Sequence, residues 1–82
     1  MHHRVIAITP QLDFILKSTF ADGQARLYDI KALAARHEVF QDLLRTRQLF
    51  EQVKIDAGGY GVTWNDYLDL DAQELWIHGQ EL

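Results

Sequence analysis

Apolar and polar residues alternate along the first third of the chain, and that period of two predicts strands. Val5, Ile6 and Ile8 make a first strand from Arg4 to Thr9, ended by Pro10, which has no amide hydrogen to give to a ladder. From Leu12 to Phe20 the pattern sharpens. Leu12, Phe14, Leu16 and Phe20 share one face, Asp13, Lys17 and Thr19 the other, and Ile15 interrupts the polar row. Such a segment is a half-buried antiparallel strand. Asp22-Gly23 then closes a hairpin in one of two registers. A two-residue loop pairs Leu16 with Asp29 and puts an aspartate on the apolar face. A three-residue loop, Ala21-Asp22-Gly23 with Gly23 left-handed, pairs Leu16 with Tyr28 and Phe14 with Ile30. A slip of one residue turns every side chain to the wrong face, so the three-residue loop is the expected one.

Beyond the hairpin the pattern changes. Asp29 is placed to cap a short helix, Ile30 to Arg36, rich in alanine and leucine. Val39, Phe40, Leu43, Leu44, Leu49 and Phe50 recur without a steady 3.6-residue period, which predicts separate helical turns near Gln41–Arg45 and Arg47–Gln52. A second hairpin follows. Val53 and Ile55 lead into a two-residue Gly58-Gly59 loop, with Ile55 facing Val62 and Val53 facing Trp64. Asp71 with Glu74 three residues on resembles a capping box for a last helix, Ala72 to His78, ended at Gly79. The expected fold class is α+β: a small antiparallel sheet built from two hairpins, with short helices packed on one face. At 82 residues it makes a single compact domain, 1–82.

Composition narrows the function more than it names it. With no cysteine there are no disulfides, thiolate metal sites or cysteine nucleophiles. No apolar run approaches the ~18 residues of a membrane span, and the start MHHRVIAITP lacks the apolar core of a signal peptide. The expected location is the cytoplasm, with no membrane partner. The net charge of −4 argues against direct nucleic-acid binding, which draws its affinity from phosphate contacts. Arg36, His37, Arg45 and Arg47 are interspersed with Glu38, Asp42 and Glu51, as on a solvated helix surface.

The candidate constellations each have a simpler structural explanation. The four histidines, His2, His3, His37 and His78, show no HxxxH or HExxH spacing; His2 and His3 belong to a frayed terminus, and the other two suit helix C-terminal carbonyls. Asp66, Asp69, Asp71 and Glu74 lack the ligand spacing of a calcium loop and read as helix capping and a solvated turn. Gly58-Gly59-Tyr60-Gly61 has no Gly-Lys-Ser/Thr and is a hairpin turn, not a phosphate loop. Ser18, the only serine, has no histidine near it in sequence. The expectation is a protein that is not an enzyme, with no catalytic residues, cofactor or metal. Aromatics remain: Tyr60, Trp64, Tyr67 and Trp76 cluster in the last third, and Tyr60 and Tyr67 are the expected partner-contact residues.

An ordered set of residues also resembles a family. Phe20-x-Asp22-Gly23, Tyr28-Asp29-Ile30 and Val39-Phe40-x-x-Leu43 are followed by Leu49-Phe50-x-x-Val53-x-Ile55-Asp56, Val62-x-Trp64 and Asp69-Leu70-x-x-x-x-Leu75. Together they are similar to the small bacterial family called domain of unknown function 2442, departing from it at Asn65, where the family tends to have proline. The resemblance implies a compact α+β domain without an established activity. It also implies a setting beside another small protein, suggestive of toxin–antitoxin pairs. The expected function is a non-catalytic protein-interaction module, the antitoxin-like or regulatory half of a small bacterial gene pair. Its partner would be another small protein, or a second copy through self-association. The alternative is a small-ligand or nucleic-acid-associated regulator acting through a partner.

Overall fold

The computed structural model describes residues 3–82. Its first sheet has four antiparallel strands in the order β1-β2-β3-β7: β1 (Val5–Gln11), β2 (Ile15–Phe20), β3 (Ala25–Asp29) and β7 (Gln80–Glu81). A second sheet runs β4-β5-β6, with β4 (Lys54–Ile55), β5 (Gly61–Asn65) and β6 (Leu68–Asp71). Four short helices complete the fold: α1 (Ile30–Arg36), α2 (Gln41–Arg45), α3 (Arg47–Glu51) and α4 (Ala72–His78). The class is α+β with antiparallel pairing, but the two hairpins lie in separate sheets rather than one. Their buried faces share a core that includes Leu16, Phe20, Tyr28, Ile30, Leu43, Phe50, Val62, Trp64 and Leu75.

The first hairpin follows the expected register. Leu16 pairs with Tyr28 and Thr19 with Ala25. The loop closes with the Phe20 amide donating to the Gln24 carbonyl at 2.8 Å, and Gly23 has φ +91°. Every second residue of β2 is buried, Leu16, Ser18 and Phe20, as the alternation requires. The start of this strand departs from the pattern. Leu12–Phe14 form a 3-10 turn in which Asp13 and Phe14 have φ of 61° and 58°. Leu12 is therefore 86% exposed, and Phe14 cannot pair with Ile30, which has already entered α1. Lys31 explains how two left-handed non-glycine residues are held. Its Nζ donates to the Asp13 carbonyl and sits 3.3 Å from the Asp13 carboxylate and 2.8 Å from that of Asp29. Pro10 does not end β1 either. It stands opposite Leu16, where an edge strand tolerates the missing donor.

Helix boundaries track the sequence closely. The Asp29 carboxylate accepts from the Lys31 amide at 2.8 Å and Asp71 accepts from Gln73 at the same distance, so both predicted caps form. Gly79 follows α4 as expected but with φ −77°, not left-handed. Glycine is needed there for space: a Cβ would run into the Leu75 carbonyl and lie 2.7 Å from the Arg26 Cβ.

The second hairpin keeps Ile55 opposite Val62 but not its two-residue turn. Ala57–Gly59 make a 3-10 turn, the Asp56 amide donates to the Gly61 carbonyl at 3.1 Å, and the Asp56 carboxylate accepts from the Gly61 amide at 3.1 Å. The paired part of β4 is only Lys54–Ile55, so Val53 lies outside the ladder. Two strands, β6 and β7, go beyond the expected elements. β6 carries Asp69, expected in a solvated turn, and the cap residue Asp71 on its exposed face while Leu68 and Leu70 point inward. β7 joins the first sheet through Arg26–Glu81 and Leu27–Gln80.

Candidate functional site

α1 ends beside β6, and a groove of about 310 Å³ lies between them. Leu33 and Phe40 form its apolar lining with Leu70, while Arg36, His37, Asp69, Asp71 and Glu74 supply charge and polarity. α1 ends at Arg36, and the His37 amide donates to the Leu33 carbonyl at 2.9 Å, which fixes the backbone that carries His37. The alternation of β6 turns Asp69 and Asp71 outward.

Glu74 is the polar centre of this region. It does not reach back to the start of α4 as a capping box would; it turns toward Tyr28. The buried Tyr28 hydroxyl donates to Glu74 Oε2 at 2.7 Å, His78 Nδ1 lies 3.0 Å from Oε1, and Arg36 Nη2 lies 3.7 Å from Oε2. One carboxylate thus ties β3, α1 and α4 together. Burial alone would raise the Glu74 pKa, but the Tyr28 hydroxyl and the His78 and Arg36 charges outweigh it and hold the carboxyl below its usual range. The Tyr28 phenol moves the other way. Burial first, and then its bond to an anion, push its pKa well up and keep it a proton donor. His78 therefore meets a carboxylate, not the helix-end carbonyls.

The predicted partner-contact residues are exposed but not adjacent. Tyr67 is 87% exposed in the β5–β6 turn, where Asn65 Oδ1 accepts from the Tyr67 and Leu68 amides at 2.8 and 3.0 Å. This asparagine turn stands where the resembling family tends to have proline. Tyr60 is 53% exposed and precedes β5, so the strand separates the two by ~17 Å at ~3.4 Å per residue. Tyr60 lines a different cleft of about 290 Å³ with His3, Asp71, Ala72 and Gln73.

The remaining candidates fall into structural roles. His3 is not frayed: its ring stacks on Trp76 with centroids 3.7 Å apart. His2 lies outside the described residues. Ser18 is fully buried on β2, away from any substrate in solvent. Among the described residues, no three histidine, aspartate or glutamate side chains converge as metal ligands, and no helix is long and apolar enough to cross a membrane. Two features escaped sequence reasoning, the Glu74 hub and the burial of Arg26. The alternation of β3 held the signal for both, since Arg26 and Tyr28 share its buried face.

No curated protein and no solved structure matches the chain. One family does, described as protein of unknown function (DUF2442), over residues 5–81. With nearly all of its length matched, and with an α+β fold of short helices and antiparallel strands, the chain belongs to the DUF2442 family.

Proposed function

We propose that this protein is a non-catalytic interaction module that receives an extended segment of another small protein along β6. The observation that carries the reading is β6 itself. It is an edge strand, it borders the groove beside α1, and a highly exposed tyrosine immediately precedes it. Edge strands offer unpaired backbone groups, and a partner strand added there gains main-chain hydrogen bonds while side-chain pockets set specificity. Tyr67 is held by the Asn65 turn, so it would anchor a partner at little cost in ordering. Tyr60 would be reached only by a partner long enough to span β5. Arg36 and His37 on one side of the groove, and Asp69 and Asp71 on the other, favour a segment carrying both charges. In the antitoxin-like version of this reading, the partner is the product of an adjoining gene in the bacterial cytoplasm, and binding masks its active surface.

The test is capture of the partner by the tagged protein from its native lysate, repeated with Tyr67→Ala. One stoichiometric small protein, held much more weakly by the variant and protecting the 68–71 amides from exchange, supports the reading. Equal capture by the variant, or no captured protein, overturns it. The same groove also favours a second reading, a small-ligand regulator, because Arg36 and His37 face one small space. A ligand screen by thermal shift, with Arg36→Ala as the control, tests that version.

A further inference from the structure

The open edge of β6 is matched in the other sheet by an edge that the chain itself fills. β3 is five residues long, and β7 covers it with two, pairing Arg26 with Glu81 and Leu27 with Gln80. Gln80, Glu81 and Leu82 are all exposed. So short a strand contributes little apolar burial, and what holds it is polar.

The polar element is Arg26. Its side chain is only 9% exposed, and its guanidinium carbon lies 4.0 Å from the centre of the Trp76 ring. Nη1 donates to Glu81 Oε1 at 3.1 Å and Nη2 to Gln24 Oε1 at 3.2 Å, while the buried Nε has no partner. A buried cation requires an anion. Here that anion comes from the side chain of Glu81, itself 75% exposed. The receptor is thus buried while its occupant lies exposed at the surface. Local opening free energies are lowest where apolar contacts are few and backbone hydrogen bonds are exposed.

We propose that β7 is a displaceable strand, and that the edge of β3 with Arg26 at its centre is a binding site for an extended acidic segment of another protein. Such a segment would pair with Arg26 and Leu27 as β7 does and set a carboxylate on the Arg26 guanidinium. Charge complementarity selects it: the site offers one buried cation, and displacement of β7 frees the ladder positions at Arg26 and Leu27. Because β3 and β6 belong to different sheets, this site stands or falls independently of the β6 groove.

The test uses the full chain and its Glu81→Gln variant, with a fluorescein-labelled peptide of the sequence of residues 77–82 (IHGQEL) as the probe. Glu81→Gln weakens the built-in occupant without touching the receptor. The variant should bind the acidic peptide roughly tenfold more tightly than the unaltered chain, and a peptide with glutamine in place of glutamate should lose most of that affinity. No binding by the variant, or equal binding of the acidic and neutral peptides, overturns the proposal. Native-state hydrogen exchange of the unaltered chain gives a second readout. The Gln80 amide should exchange at least tenfold faster than those of the Leu16–Tyr28 rung; equal protection means β7 is a fixed part of the sheet and overturns it too. A variant that dimerises by exchanging C-terminal strands would make the occupant a second copy, which also overturns it.

Discussion

The two hairpin loops use the same residue and teach different things. In the β2–β3 loop Gly23 has φ +91°, and a Cβ there would meet nothing within 4 Å. In the β4–β5 loop Gly59 has φ +79°, but a Cβ would lie 2.6 Å from the Val5 carbonyl oxygen of β1. The first glycine answers a local demand, a left-handed turn residue facing solvent. The second answers that demand and a tertiary one, because the loop of one sheet rests against a strand of the other. A glycine can therefore be legible in sequence while its main role is not.

Substitutions grade this contrast. Gly59→Ala should have the largest effect, about 2–5 kcal/mol, combining left-handed strain with a backbone clash that cannot relax without parting the sheets. Urea unfolding measures it, and a loss no greater than that of Gly23→Ala would dissolve the comparison. Tyr28→Phe comes next, about 1.5–3 kcal/mol, because the lost hydroxyl bonds an anion that links β3, α1 and α4.

Acid sharpens the same tertiary link. The Glu74 carboxyl is held below its ordinary value of 4.5. Its contribution is therefore complete above that pH and drains away as pH falls through the lower folded value. The stability gap between the unaltered chain and Glu74→Gln should accordingly narrow on titration from pH 7 toward pH 3. A gap that stays constant would show that the hub does not act through its charge.

Gly23→Ala should cost only about 1 kcal/mol, since the strain of positive φ is partly offset by a less flexible unfolded chain. Thermal melts should show that as a shift of about 4–8 °C. Tyr67→Ala should change stability by less than about 0.5 kcal/mol, because the side chain touches little in the folded protein. A larger loss by the same melts would make Tyr67 a structural residue rather than an anchor.

Much of the fold was readable where the information is local. Alternation placed the buried face of β2, the need to keep Asp29 off that face chose the Leu16–Tyr28 register, and Asp29 and Asp71 announced the starts of α1 and α4. Reading failed where a residue had two local meanings. Asp69 was consistent with a solvated turn, yet it stands between the buried Leu68 and Leu70 of β6. Pro10 was consistent with a strand end, but on an edge strand its missing donor costs no ladder bond. Leu12 belonged to an apolar row until the left-handed residues Asp13 and Phe14 turned the chain out of it. Of the candidate site, the exposure of Tyr60 and Tyr67 was anticipated, whereas the strand that separates them and the groove beside β6 were not.

The sequence by itself determined the short-range elements, since caps, turns and strand alternation depend on residues within a few positions of one another. It also determined the family, through an ordered set of such residues spread over the chain. Tertiary structure alone decided that the hairpins fall into two sheets, that β7 closes on β3 and that Glu74 joins three elements. Those outcomes rest on partners such as Arg26 and Glu81 or Tyr28 and Glu74, separated by 55 and 46 positions. A period or a cap cannot encode such a pair; only packing brings its members within reach.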